Sequence, residues 1–226
     1  MTPGAGAGNK PGVFVGHYGA AFLAKRVQPR APFWALLLAV MWVDVLWAVF
    51  ILTGLERARL DPSLTGFPVD LEHMPLTHSL VATGVWATFG WVVARHGFGW
   101  PSGVAAAIAA AVASHWFHDL PVHRPDLPLV WGEPKLGFGL WNYPMPELAL
   151  EIAWLLATVA LLARSDAVDA ATRTRIWRFA AGLVVLQLVN AFGPVPPSVT
   201  PLAVTALLTF LAVPWFGARA TTSQPH

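Results

Sequence analysis

The sequence predicts an all-α fold, a polytopic membrane helical bundle of six or seven apolar segments, and three observations predict it. Of 226 residues, 56% are hydrophobic and only 12% are charged. An ordinary soluble domain carries about 25% charge. The aromatic set is 12 Trp and 13 Phe against 2 Tyr, a mix suited to lipid contact with interfacial anchors. Apolar runs, most of them near the ~20 residues needed to cross a bilayer, alternate with short loops rich in helix breakers. The same composition excludes intrinsic disorder, which needs low hydrophobicity and high charge. A chain with no cysteine has no disulfide scaffold, thiolate metal site or cysteine nucleophile. The net charge is only +2 and the basic residues sit in short clusters, which argues against nucleic-acid binding.

Residues 1–12, MTPGAGAGNKPG, read as a flexible tail without the apolar stretch or cleavage site of a signal peptide. Residues 13–217 read as a single transmembrane helical domain, and 218–226 as a C-terminal tail. The first apolar segment, 13–27, is short enough to be re-entrant or partial. After Gln28-Pro29-Arg30 comes 32–54, then 78–94, which Trp100-Pro101 separates from 102–119. Tyr143-Pro144 precedes 147–163, and Gly193 to Pro197 divides 176–193 from 199–217. The longest loops are 55–77 and 120–146, and no repeat has a clear period. With seven crossings, Lys25, Arg26, Arg30, Arg95, Arg164, Arg173, Arg175, Arg178 and Arg219 share one side. Lys10, Arg57, Arg59, Arg124 and Lys135 share the other. The richer side is expected to be cytoplasmic, which puts the N-terminus outside. If 13–27 does not cross, the N-terminus moves inside and the other assignments stand.

The informative residues are the ionisable ones in or beside the apolar runs, because each is costly in lipid and marks a site. They are His17, Asp44, His78, His115, Asp119, Glu147 and Glu151. His115 and Asp119 are spaced i, i+4, as are Glu147 and Glu151, so each pair shares a helical face. Counted at 1.5 Å per residue from the basic end of each segment, all of them fall in one slab about 10 Å thick. The slab lies toward the outer leaflet. Imidazoles and carboxylates without thiols suit zinc, iron or manganese, with zinc the default divalent ion. Such an ion supports hydrolysis through a metal-activated water, with a carboxylate as base.

Four pieces resemble a bacterial inner-membrane family of metal-dependent hydrolases, the YdjM-like family. They are Gly16-His17 with YGAAFLAKR, Trp42-Val43-Asp44, Glu72-His73-Met74-Pro75-Leu76-Thr77-His78-Ser79, and Ser114-His115-Trp116-Phe117-His118-Asp119. The resemblance covers residues 12–132. Asp44 stands where the family has a Pro-Asp-x-Asp run, and Met74-Pro75 where it has Arg-Gly. The resemblance implies His17, Asp44, His73, His78, His115 and Asp119 as ligands or catalytic groups, and a bacterial cytoplasmic membrane.

The expected metal ligands are therefore His17, Asp44, His78, His115 and Asp119, with Glu147, Glu151 and His73 in catalytic support. His73 is either a group that orients His78 or an exposed loop histidine. Thr77 and Ser79 orient or hydrogen-bond, His118 sits at the surface or beside the site, and His123 and Asp126 are solvated loop residues. Gln187 and Asn190 make an interhelical polar contact. The segment 125–151 forms a loop over the site. The function expected is a membrane-embedded hydrolase of a lipid or lipid-linked ester or phosphoester, whose partners are the bilayer and a lipid-like substrate. The alternative is a non-catalytic membrane protein, either a subunit of a larger complex or a proton- or ion-coupled transporter.

Overall fold

The computed structural model describes residues 10, 12 and 14–221 of the chain. Most of the expected N-terminal tail, and residues 222–226 of the C-terminal one, lie outside the described residues. The fold is helical, with eight α-helices and two small two-stranded sheets among the described residues.

Helix α1 (Val15–Val27) is buried on every side from Val15 to Phe22 and exposes its end, where Lys25 and Arg26 complement the negative pole of the helix. It packs along α6 (Pro144–Ala163), whose first position is proline. The approach is close because of glycine. A Cβ on Gly16 would lie 2.5 Å from a Glu151 carboxylate oxygen, and one on Gly19 would lie 2.6 Å from the Trp154 indole nitrogen.

The apolar segment 32–54 is two helices, α2 (Phe33–Val40) and α3 (Trp42–Thr53), bent by 52° at Met41. Neither proline nor glycine marks the bend. Strands β1 (Arg57–Leu60) and β2 (Val69–His73) pair antiparallel, with Arg59 opposite Asp70. Helix α4 (Leu80–Val92) starts at a Ser79 cap and runs on into one π-helical turn, Val93–Gly97. It packs against α5 (Ser102–Val122). A loop with two short strands, β3 (Leu127–Pro128) and β4 (Lys135–Leu136), and a 3₁₀ turn at Leu140–Asn142 leads to α6. Arg124 ties this loop to the earlier one, donating to Asn142 Oδ1 and to the carbonyls of Thr65 and Phe67. Helix α7 (Ala170–Phe192) is capped by Asp169, which accepts the Thr172 N–H at 2.7 Å, and α8 (Val199–Gly217) ends the domain.

Each expected apolar segment contains helix, but the number of crossings is corrected. Among the described residues only α6, α7 and α8 are long and apolar enough to cross a membrane, with a fourth span if α2 and α3 count as one. Helices α1 and α4 are 13 residues each, about 20 Å, well short of a ~30 Å hydrocarbon core. Helix α5 is long enough at 21 residues, but the polar Ser114, His115, His118 and Asp119 lower its hydropathy. Apolar side chains nevertheless face outward, at Val81, Val85, Phe89 and Val92 on α4 and at Val185, Val189 and Phe192 on α7. A surface of this kind is compatible with an integral membrane protein.

The main core joins α1, α2 and α5 with the inner faces of α6 to α8. A smaller one gathers Trp47, Val69, Leu71, Met74, Val122, Leu127 and Trp141 beneath the two loops. Ser79 links helix and loop, because its hydroxyl accepts the Ala82 N–H at 3.0 Å and donates to the Pro75 carbonyl at 2.7 Å. Ser79→Ala is expected to cost about 1 kcal/mol, seen as a lowered Tm in detergent.

Candidate metal centre

Helices α1, α3 and α5 and the turn before α4 each bring one face to a common point. His17 lies in the first turn of α1, and Asp44 in the first turn of α3, where the positive helix pole favours a carboxylate. His78 immediately precedes the cap of α4. Helix α5 contributes His115 and Asp119 from one face, and the same four-residue step places His123 just past its end. All are buried except Asp44, which is half-buried.

The separations are informative. His78 Nε2 lies 3.3 Å from Asp44 Oδ1 and 3.8 Å from Asp119 Oδ2. His115 Nε2 lies 3.5 and 3.2 Å from the same two oxygens. Most are long for charged hydrogen bonds. Two ligands at about 2.0–2.2 Å from one tetrahedral ion are about 3.3–3.6 Å apart, and the four separations, 3.2 to 3.8 Å, straddle that range. The His115 Nε2 and Asp119 Oδ2 atoms are buried and make no hydrogen bond. Among the described residues, two groups have ligand atoms spaced closely enough to hold a metal ion: Asp44, His78 and His115, and His17, His115 and Asp119.

Three of the imidazoles are held at the far nitrogen. His115 Nδ1 donates to the Val40 carbonyl at 2.8 Å, one of the last carbonyls of α2, which have no partner within that helix. His78 Nδ1 donates to Thr77 Oγ1 at 2.7 Å, and that hydroxyl donates to Glu56 Oε2 at 2.6 Å. Glu56 is itself fixed, its Oε1 accepting the N–H groups of Leu76 and Thr77 at 2.8 and 2.9 Å. His123 Nδ1 donates to Asp126 Oδ1 at 2.9 Å. Carbonyl and carboxylate oxygens only accept, so Nδ1 carries the proton and Nε2 is turned toward Asp44 and Asp119. Metal-binding histidines are held in this way. His17 differs: its Nε2 lies 2.9 Å from Asp119 Oδ1, and its Nδ1 is buried without a partner.

Glu151 accepts the Gly16 N–H at 2.5 Å, which places it directly behind His17. One turn away, Glu147 is fully buried and neither oxygen has a protein partner. His73 is not brought to the cluster. It stands opposite Arg57 in the hairpin with its ring 6.2 Å from Trp131, and Thr77, not His73, holds His78. Glu56 carried no sequence signal, since its contact depends on how the 55–77 loop closes.

His123 and Asp126 were expected to be solvated, yet His123 is buried, 3.7 Å from Asp119. The Trp141 ring covers it at 3.9 Å between centroids, because the loop folds back over the end of α5. Burial opposes the charged form of His123, but Asp119 and Asp126 outweigh it and raise its pKa. His118 donates to the Ser114 carbonyl, with its ring 5.5 Å from that of His17. Gln187 and Asn190 do not pair between helices; both donate to the Gly12 carbonyl.

A cavity of about 640 Å³ opens onto the cluster. His17, Asp44, His78, Asp119 and His123 line one part of it, and Trp47, Phe67, Trp141, Leu186, Leu202 and Phe210 form apolar walls. Lys10 stands at its edge, donating to the Gly193 and Pro194 carbonyls at 2.7 and 3.0 Å. Glu147 and Glu151 are not among the lining residues.

Comparison with protein-family models, curated proteins and solved structures gives no match.

Gly16→Ala drives a methyl group into the Glu151 carboxylate. Overpacking of this kind is expected to cost about 1–3 kcal/mol, read as a drop in Tm larger than that of Ala20→Ser in the same helix.

Proposed function

We propose that the chain is an integral membrane, metal-dependent hydrolase of a lipid or lipid-linked ester or phosphoester. The observation that carries this reading is the set of imidazoles held at Nδ1 with Nε2 turned onto two carboxylates, beside an apolar cavity. Asp44, His78, His115 and Asp119 would hold a divalent ion, and the His/Asp donor set suits zinc. When bound, such an ion supplies a Lewis acid and lowers the pKa of a coordinated water toward 7.

The chain's own residues do the rest. Asp44 is the half-buried carboxylate that also lines the cavity, so it is the group placed to take a proton from water beside a substrate. The Glu56–Thr77 pair fixes the His78 tautomer, and the Val40 carbonyl fixes that of His115. Glu151 positions the first turn of α1, and with it His17. Trp47 and Trp141 stand among the apolar walls, which accept an acyl or prenyl chain. The YdjM-like resemblance points to the same activity. The basic ends of the helices are assigned to the cytoplasm and the cluster to the outer-leaflet side of a bacterial inner membrane.

Purified protein is expected to contain stoichiometric zinc, lost in the His115→Ala, Asp119→Ala double variant. No stoichiometric metal in the wild type would sink the metalloenzyme reading; Asp44-dependent uptake or charge movement would then favour the transporter. Glu56→Gln is expected to weaken zinc binding by about 10–100-fold, measured by competition with a chelator. Because the chain lacks cysteine, sidedness is testable with single Phe138→Cys and Asp166→Cys variants. An impermeant maleimide is expected to label the first in intact cells and the second only after lysis.

A further inference from the structure

We propose that Asp119 bridges two divalent cations, and that His17 and His123 serve the second. The inference rests on the metal-centre reading above and extends it from one ion to two.

The two oxygens of Asp119 are addressed by different imidazoles. Oδ2 faces His78 at 3.8 Å and His115 at 3.2 Å. Oδ1 faces His17 at 2.9 Å and His123 at 3.7 Å. One carboxylate thus has two imidazoles on each oxygen, drawn from α1, the α4 cap, α5 and the segment after it. A carboxylate serving one ion through one oxygen needs only a single donor on the other. In two-metal hydrolytic sites the ions lie about 3.5–4 Å apart, a spacing that the two oxygens of one carboxylate span.

His115 cannot serve both ions. Its Nδ1 is committed to the Val40 carbonyl, so only Nε2 remains. The two metal-competent groups, one with Asp44 and His78 and the other with His17 and Asp119, share His115 and compete for that nitrogen. His123 supplies the missing imidazole for the second. It is built as a ligand, with Nδ1 on Asp126, its ring plane held by Trp141, and Nε2 free to face Asp119. His17, Asp119 and His123 all line the cavity. A second ion there keeps open positions toward a substrate, as catalytic sites require, and would clamp a phosphoester or ester oxygen opposite the first.

The test is metal content of the full chain in detergent, stripped with a chelator and reloaded with Zn²⁺ alone. Two zinc ions per chain are expected in the wild type. One is expected in the His17→Ala, His123→Ala double variant, and a weakened second ion in Asp126→Asn. Reloading with Mn²⁺ is expected to give a spin-coupled resonance spectrum in the wild type, and an isolated-ion spectrum in His123→Ala. One zinc per chain in both wild type and double variant overturns the second site and leaves the single-ion reading standing. No zinc in the wild type overturns both. Loss of both ions from a His123→Ala protein that still elutes as a single monodisperse species overturns the assignment of His123 to a separate ion.

Discussion

A carboxylate buried among apolar helices survives only if positive charge or donors meet it, since the uncompensated ion costs several kcal/mol even after relaxation. Asp119 is where this constraint is most severe. It is buried in α5, and imidazoles reach it from α1, from the turn before α4, from α5 itself and from the following loop. The packing around it follows. Gly16 lets α1 lie close enough to α6 for His17 to enter, and the 55–77 loop closes through Glu56 so that Thr77 can hold His78. The 120–146 loop folds over the helix end and seals His123 beneath Trp141.

The supporting groups sit outside the helices that carry the charges. Glu56, Thr77 and Asp126 are loop or turn residues, and Val40 lies at a helix break. Regular helix backbone has few free acceptors, because its carbonyls are spent on the ladder. The centre therefore draws its fixed acceptors from places where the ladder stops. The irregular segments are part of the site's rigidity, and Arg124 joins the two loops that contain most of them.

Much of this was legible in the sequence. Depth counting put His17, Asp44, His78, His115, Asp119, Glu147 and Glu151 in one layer; the structure brings the first five together and leaves the two glutamates off the cavity. Depth works because a helix rises by a fixed amount per residue. It fails where the chain is not one straight helix. The bend at Met41 splits a 23-residue apolar run without any proline or glycine to mark it. Counting apolar residues also overestimated the crossings, because α1 and α4 are too short to span and the polar residues of α5 lower its hydropathy. His123 had a readable signal, the continued four-residue step from His115 and Asp119, masked by the loop around it. Glu56 and the Val40 carbonyl had none, since both depend on long-range closure.

The bend between α2 and α3 has a further meaning. His115 grips the carbonyl of Val40 on one side of the break and faces Asp44 on the other. One imidazole therefore spans a joint. Any ion seated between His115 and Asp44 acts as a rivet through that joint, and it binds best at one angle. Because α3 also packs on α8, which lines the cavity, the joint, the cluster and one wall of the cavity form a single packed unit.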